Sequence, residues 1–294
     1  MAITTASDNK KGGTGKTTTA FNLGTLLAGL LGQRVLLIDL DSDRCLTDAI
    51  GGGSFEARQI GKRTILDCLV NPTHLFEGAT FSFDLSPFSS SIQHIGYNHN
   101  IKPVSGGIVH IIAGSEDLAE APNLFATVAD QPVGTFDQAL RWIINQPSVA
   151  NSYDHIILDI GTGWDLVTKS ALFAADQAII PVEPASLSIE AFKRHNLRIA
   201  RGNRERAQAG LKGQTKIAGV LISRVNEASP LQVQFAQATR NMLVNGKIPC
   251  YTAHIPTSDA ILLAMKDHVP AWGIAPSDKG TEAFISVAKE FIAA

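Results

Sequence analysis

Cysteine and aromatic residues are scarce in this 294-residue chain, and neither sign of charge dominates. The 3 cysteines, at positions 45, 68 and 250, form no C-x-x-C pair, which argues against a disulfide framework or a zinc knuckle and favours a reducing cytoplasm. The formal net charge is −2, so any contact with nucleic acid would depend on a local basic patch. No apolar run approaches the roughly 18 residues of a membrane span, and the first residues lack the pattern of a secretion signal. We therefore expect a cytoplasmic globular protein without a membrane partner.

Short apolar segments alternate with helical patterns along the chain. This alternation predicts an α/β fold with a doubly wound, mostly parallel sheet flanked by helices. No domain boundary stands out, so residues 1–294 are expected to form one domain with an irregular insertion at about 51–107. The predicted strands span 3–7, 35–40, 108–113, 155–159, 177–182 and 217–222, and the clearest predicted helices span 17–31, 64–70, 136–144 and 187–209.

The segment KKGGTGKTT, residues 10–18, is the strongest functional motif and lies between the first predicted strand and the first predicted helix. Its glycines allow backbone N–H groups to turn towards phosphate oxygens, and the following helix directs its positive end at the same anion. Lys16 can reach the β- and γ-phosphates of a nucleotide, and the Thr17 hydroxyl can ligate Mg²⁺. The motif therefore predicts a site for ATP and Mg²⁺, although Lys10 stands where the strict phosphate-loop pattern has its first glycine.

This motif resembles the deviant Walker A sequence, K-G-G-x-G-K-T-[TS], of the ParA/MinD class of P-loop ATPases. Later segments resemble other blocks of that family: VLLIDLDSDRCLT (35–47), YDHIILDIGTGWDLVTKSALFAADQAIIPVEP (153–184) and HIPTSDAILLAMKDHVPAWGIAPSDKGTEAF (254–284). The blocks follow the family's order and cover nearly the whole chain outside about 51–107. The chain most resembles the ParA-type partition and positioning ATPases, and the resemblance implies the P-loop NTPase fold.

The resemblance implies that catalysis depends on Lys11, Lys16 and Asp41. Lys11 would reach across an ATP-bound homodimer to the partner's phosphates, and Asp41 would position the attacking water. A solvated lysine is the alternative for Lys11, and a structural carboxylate at the sheet edge is the alternative for Asp41. Residues 42–44, Ser-Asp-Arg, replace the Pro-Gln pair that is usual in the family, which leaves open an ATP-binding module without hydrolysis.

The implied Mg²⁺ site contains Thr17, Asp39 and Asp159, and Asp159 ends an apolar strand in the manner of a Walker B carboxylate. Gly161 follows it where the family has proline, so we expect a more flexible switch loop. The resemblance implies that Asn226, after the predicted strand 217–222, recognises the edge of the base. A polar turn at the strand end is the alternative for this residue. The implied nucleotide-binding residues are Lys11, Gly12, Gly13, Thr14, Gly15, Lys16, Thr17, Thr18, Arg224, Asn226 and Pro256.

The predicted helix 187–209 carries a concentration of positive charge, and three of its arginines share one stripe. By resemblance to ParA-type proteins, this face would bind the phosphates of non-specific double-stranded DNA, whereas a solvated helix face is the alternative. The residues assigned to DNA binding are Lys193, Arg194, Arg198, Arg201 and Arg204.

The last predicted helix has an apolar stripe in which Lys289 is the only cation. A helix that lies on a membrane should carry several cations on its polar face, so core packing is expected. The stripe consists of Phe284, Val287, Ala288, Phe291 and Ile292.

We interpret the sequence as a slow, partner-stimulated ATPase that dimerises with ATP and binds the nucleoid. A ParB-like or other small adaptor protein would stimulate hydrolysis, and the cargo would be a plasmid or a chromosome. A first alternative is the positioning of a protein assembly such as a carboxysome. A second is a metabolic P-loop enzyme, similar to dethiobiotin synthetase or to the nitrogenase iron protein, although the cysteines do not fit the latter's cluster.

Overall fold

The computed structural model of the protein describes residues 1–51, 63–72, 79–184 and 189–293, and it describes residues 189–196 by their backbone alone. Within these residues, eight strands form one sheet. The strands are β1 (Ile3–Ser7), β2 (Arg34–Leu40), β3 (Thr80–Phe83), β4 (Ile108–Ile112), β5 (His155–Ile160), β6 (Gln177–Val182), β7 (Lys216–Val225) and β8 (Ile255–Pro256).

Helices connect the strands and cover both faces of the sheet. Residues 45–51 are helical, and 3₁₀ turns occupy Ser86–Phe88, Glu116–Glu120 and Phe136–Gln138. The α-helices whose bounds are described are α1 (Lys16–Leu31), α2 (Ile65–Val70), α3 (Ser89–Asn98), α4 (Ala121–Thr127), α5 (Ala139–Ile144), α6 (Pro147–Ala150), α7 (Leu166–Ala174), α8 (Ile189–Gln208), α9 (Pro230–Asn245), α10 (Asp259–Lys266), α11 (Ala271–Ile274) and α12 (Lys279–Ala293).

The strand order in the sheet is β3-β4-β2-β5-β1-β6-β7-β8. Neighbouring strands are parallel except for β3, which runs antiparallel to β4. The chain leaves the central strand β1 for β2 on one side, and it later places β6 on the other side. Ligands of open parallel sheets bind at the carboxyl ends of the strands where the order changes direction in this way. The fold therefore brings the loops after β1, β2 and β5 to one edge, and the predicted fold class is confirmed.

Helix α1 packs against the sheet because nearly all of its residues are apolar or small. Phe21, Leu23 and Leu27 are fully buried, and burial of each such side chain contributes roughly 1.5–3 kcal/mol. The indole nitrogen of Trp272 donates a 3.0 Å hydrogen bond to Thr25 Oγ1 inside this layer. Buried contacts thus fix helix α1, which begins directly after the loop of the phosphate motif.

The apolar stripe of α12 packs in the same core layer, as predicted. Four of its five residues are buried, and Ile292 is 45% exposed. Among the described residues, no helix is both long enough and apolar enough to cross a bilayer.

The described part of residues 51–107 is more regular than predicted. It contains β3, which extends the sheet beyond β4, and the ten-residue helix α3. Strand β3 has only four residues, and β8 has two. Such short strands show too little alternation for a period to be detected in the sequence.

Candidate nucleotide site

Residues 8–15 form the loop that joins β1 to α1. Gly13 and Gly15 have φ angles of +74° and +94°, in the left-handed region where a side chain would be strained. The side chain of Asn9 holds the loop from inside: its Nδ2 donates to the Pro181 carbonyl oxygen at 2.6 Å, and its Oδ1 accepts from the Lys11 amide at 2.9 Å. The glycines thus allow the loop to curl over the amino end of α1, where free N–H groups favour an anion.

The first turn of α1 carries the two residues that the motif assigns to phosphate and metal. Lys16 is 7% exposed, and its carbonyl oxygen accepts a 3.0 Å hydrogen bond from Ser7 Oγ. Thr17 Oγ1 donates a 2.7 Å hydrogen bond to Asp159 Oδ2. A hydroxyl beside a buried carboxylate is a suitable oxygen pair for holding Mg²⁺, directly or through water.

Asp39 and Asp159 lie side by side because β2 and β5 pair in register at these residues. Burial raises the pKa of Asp159 above its ordinary value, and the neighbouring carboxylates of Asp39 and Asp41 raise it further. The hydrogen bond from Thr17 and the charge of Lys16 act in the opposite direction. Burial also raises the pKa of Asp39. Negative charge is therefore crowded at this edge of the sheet, and a bound divalent cation would relieve the crowding.

The carboxylate of Asp39 is held by hydrogen bonds from the segment that follows β2. Its Oδ2 accepts hydrogen bonds from Thr47 Oγ1 at 2.7 Å and from the Thr47 amide at 2.8 Å. Its Oδ1 accepts from the amide of Asp41 at 3.2 Å. These contacts fix the turn that presents Asp41, and the role of Asp39 in Mg²⁺ binding stays a prediction.

Asp41 lines the cavity beside the phosphate loop. A Cβ atom added at Gly161 would lie 3.5 Å from Asp41 Oδ1, so the loop after β5 passes close to this carboxylate. The absence of a side chain at Gly161 leaves space next to Asp41. Asp41 is thus a carboxylate at the wall of the cavity, and its predicted action on a water molecule stays a prediction.

The cavity has a volume of about 490 Å³ and two chemically different ends. Its polar end is formed by residues of the phosphate loop together with Asp41 and Thr162. Its other end is mainly apolar, which suits the flat faces of a nucleobase, and includes the predicted Pro256. The apolar end is lined by Ile255, Pro256, Ile261, Leu262, Met265 and Phe284.

Arg224 and Asn226 occupy different surroundings, although one lies near the end of β7 and the other directly follows it. Arg224 has a φ angle of +60°, and its Nη1 donates a 2.6 Å hydrogen bond to the Gly13 carbonyl oxygen. Asn226 lies outside the residues that line the cavity, and its Oδ1 accepts from the Ala228 amide at 3.0 Å in a local turn. Arg224 therefore supports the phosphate loop, whereas base recognition by Asn226 stays a prediction.

Lys11 forms an ion pair with Glu183 of its own chain. Glu183 Oε1 also lies 3.2 Å from Arg224 Nη1. One carboxylate therefore pairs with two cations beside the loop. The side chain of Lys11 is 55% exposed. A half-exposed ion pair of this kind is weak enough to be exchanged for another anion.

The structure corrects the assignment of Arg198 to DNA binding. Arg198 is 8% exposed and points inward, where Nη2 donates to the Gly163 carbonyl oxygen at 2.6 Å. Arg201 is half exposed but pairs with Glu205 at 2.7 Å, and Arg204 is exposed. The side chains of Lys193 and Arg194 lie outside the described residues. The charge pattern could not reveal that one member of the stripe packs against the loop after β5.

Comparison with known proteins identifies the family of the chain. Residues 2–205 match the family model described as AAA domain. Over 292 residues the chain is 26% identical to the sporulation initiation inhibitor protein Soj of Bacillus subtilis, with coverage of 98% of this chain and 97% of the relative.

Two solved structures share the fold along most of the chain. Apo McdA of Cyanothece has a TM-score of 0.73 at 20% identity and covers 99% of this chain and 100% of its own. Cobyrinic acid a,c-diamide synthase from Mycobacterium smegmatis, with bound ADP and magnesium, has a TM-score of 0.68 at 20% identity, with 98% and 93% covered.

The chain belongs to this AAA domain family and is a ParA/MinD-type P-loop ATPase. The deviant Walker A motif identified in the sequence therefore stands in the fold in which that motif occurs.

We predict that Asp159→Asn stabilises the protein in the absence of nucleotide and Mg²⁺. Because the folded chain raises the pKa of Asp159 above 3.8, the unfolded chain loses this proton first, and stability falls as pH rises above that value. Asparagine keeps an acceptor for Thr17 without the charge. Thermal melts at neutral pH should show a higher Tm, by an amount corresponding to about 1 kcal/mol.

ATP with Mg²⁺ should then raise the Tm of the wild type more than that of the variant. Asp267→Asn, at an exposed position after α10, is the matched control and should leave both values unchanged. A lower Tm for Asp159→Asn without ligands would contradict the crowding of charge.

Proposed function

We propose that this protein is a ParA-type ATPase that couples ATP-dependent dimerisation and non-specific DNA binding to the partitioning or positioning of a cargo. The observation that carries the proposal is that Lys16, Thr17 and Asp41 line one cavity at the carboxyl edge of the sheet, with buried Asp159 hydrogen-bonded to Thr17 behind it. The similarity to Soj extends over nearly the whole of both chains. The proposal extends the shared ATPase chemistry to a spatial task.

In this proposal each site residue acts on the triphosphate in a distinct way. Lys16 and the loop amides bind the β- and γ-phosphates, and Thr17 and Asp159 hold Mg²⁺. When bound, Mg²⁺ neutralises negative charge on the phosphates. Asp41 orients the attacking water, and the apolar end of the cavity holds the base. Lys16 is buried, and charges attract each other more strongly in the low dielectric of a buried site than in water. The attraction between Lys16 and the phosphates is therefore strengthened.

Dimerisation supplies the remaining cation. Lys11 lies at the rim of the site, where its half-exposed side chain pairs with Glu183 of its own chain. Binding of a second ATP-loaded chain would therefore exchange a weak ion pair for contacts with a triphosphate. This exchange makes the dimer dependent on the γ-phosphate, which supports a switch that hydrolysis resets.

The dimer is tested by gel filtration with light scattering in the presence of ATP and Mg²⁺. Wild type and Asp41→Ala should elute as dimers, because Asp41 acts on water and not on binding. Lys16→Ala should remain monomeric, since the loss of the phosphate contact removes the ligand that joins the chains. Phosphate release should be lost in both variants.

Lys266→Ala, at an exposed position at the end of α10, controls for the removal of a lysine as such. A Lys16→Ala variant that dimerises with ATP like the wild type would contradict the proposal. Phosphate release that depends on a small acid substrate would instead favour a metabolic enzyme.

DNA binding is the part of the proposal that rests on the exposed surface of α8. Arg204 is exposed there, in contrast to Arg198 and Arg206, which are 8% and 2% exposed. A dimer would present this surface twice, which strengthens a contact that depends on charge alone. The cargo, a plasmid, a chromosome or a protein assembly, would be selected by a ParB-like or other small adaptor that stimulates hydrolysis.

We predict that Arg204→Glu weakens the binding of the ATP-bound protein to random-sequence duplex DNA. Fluorescence anisotropy across a salt series should show a lower affinity and a slope reduced by about 1 for each lost phosphate contact. Lys102→Glu changes charge equally at an exposed position before β4 and should behave as wild type. Equal affinities for both variants would exclude Arg204 from the DNA interface.

A further inference from the structure

A buried ion pair lies beside the phosphate loop and takes no part in the chemistry described above. Asp8, the first residue after β1, is fully buried, and Arg198 of α8 is 8% exposed. Arg198 Nη1 lies 3.3 Å from Asp8 Oδ1. Burial of two charges costs free energy that their attraction only partly offsets, so apolar residues would hold these segments together at least as well. A function for the pair therefore has to come from what else Arg198 contacts.

Arg198 also holds the loop that follows Asp159, which we call the switch loop (residues 161–165). Its Nη2 donates a 2.6 Å hydrogen bond to the Gly163 carbonyl oxygen. Its guanidinium lies 5.5 Å from the centre of the Trp164 ring, and that of Arg201 lies 5.1 Å from the same ring. One side chain thus joins the beginning of the phosphate loop to the switch loop, and α8 provides the surface on which Trp164 rests.

The two ends of the switch loop contact different parts of the molecule. At its beginning, Gly161 faces the carboxylate of Asp41. At its end, Asp165 caps α7, with Oδ1 accepting from the Thr168 amide at 2.7 Å. Between these ends, Gly163 accepts the hydrogen bond from Arg198, and Trp164 lies beside Arg198 and Arg201 and also packs against the core. Arg198 is therefore the side chain that links this loop to Asp8 at the start of the phosphate loop.

We propose that Arg198 is a positioning residue of the ATPase site, which locks the switch loop against the phosphate loop and couples both to α8. The inference rests on the proposed ATPase function. Arginine suits this role because its guanidinium forms an ion pair with Asp8 through Nη1, donates to Gly163 through Nη2, and lies over the ring of Trp164. Lysine could keep the ion pair with Asp8, but a single ammonium cannot reproduce the other two contacts.

The coupling has a direction that can be measured. A ligand that engages Asp41 and Asp159 acts on the beginning of the switch loop, and Arg198 transmits the change to Trp164 and α8. The exposed Arg204 lies on the same helix. The nucleotide site and the surface proposed to bind DNA are thus joined by one buried side chain.

The test uses the fluorescence of Trp164, which is one of 3 tryptophans in the chain. Trp164→Phe identifies its share of the emission change that ATP with Mg²⁺ produces. Arg198→Lys keeps the charge beside Asp8, and the double variant Asp8→Asn with Arg198→Met removes both charges so that neither is left buried alone. Circular dichroism melts and the binding of a fluorescent ATP analogue are measured for every variant.

We expect Arg198→Lys to fold and to bind the analogue as the wild type does, but to lose the Trp164 response. Its phosphate release should fall on the order of tenfold, as for the loss of a supporting contact. The double variant should show the same two losses.

A Trp164 response and a phosphate release equal to those of the wild type, in either variant, would overturn the proposal. If the wild type itself releases no phosphate, the proposed ATPase function fails, and the fluorescence comparison still decides whether Arg198 couples the site to the switch loop.

Discussion

The 2.7 Å hydrogen bond from Thr17 to Asp159 joins the helix that follows the phosphate loop to a strand beside the centre of the sheet. It exists because β5 pairs directly with β1, so the end of β5 lies under the loop that β1 feeds. The bond places a hydroxyl and a buried carboxylate next to the carboxylates of Asp39 and Asp41. In the proposed function, phosphate binding, metal binding and the start of the switch loop all depend on this contact, because the residues assigned to them lie within a few positions of it.

Charge is balanced within the chain in a way that leaves room for a ligand. Buried Asp159 and Asp39 crowd each other, which a bound cation would relieve. At the rim the opposite arrangement holds, since Glu183 contacts both Lys11 and Arg224. A triphosphate with Mg²⁺ complements both arrangements: the cation meets the crowded carboxylates, and the phosphates attract the rim cations. The site is therefore electrostatically suited to a metal–nucleotide complex more than to either component alone.

The sequence was sufficient to predict the sheet, the phosphate loop and the stripe of α12, because each depends on local spacing and on apolar runs. It could not predict β3 and β8, which are too short to show a period. It also misassigned Arg198, because a helical stripe shows which residues share a face and not which of them meets a buried partner. Asp8 is that partner, and it lies 3.3 Å away across the fold. Only the packing of α8 against the switch loop separates the inward arginine from the exposed Arg204.

The central claim is that a complete site takes Lys11 from one chain and Asp41 from the other, and mixing two inactive variants tests it most directly. Lys11→Ala and Asp41→Ala should each release no phosphate alone. In their mixed dimer, the site of the Lys11→Ala chain keeps its own Asp41 and receives the intact lysine of the other chain. If half of the dimers are mixed and each has one complete site of two, the mixture should regain about one quarter of the wild-type rate. A mixture as inactive as its components, under conditions in which mixed dimers form, would contradict the account.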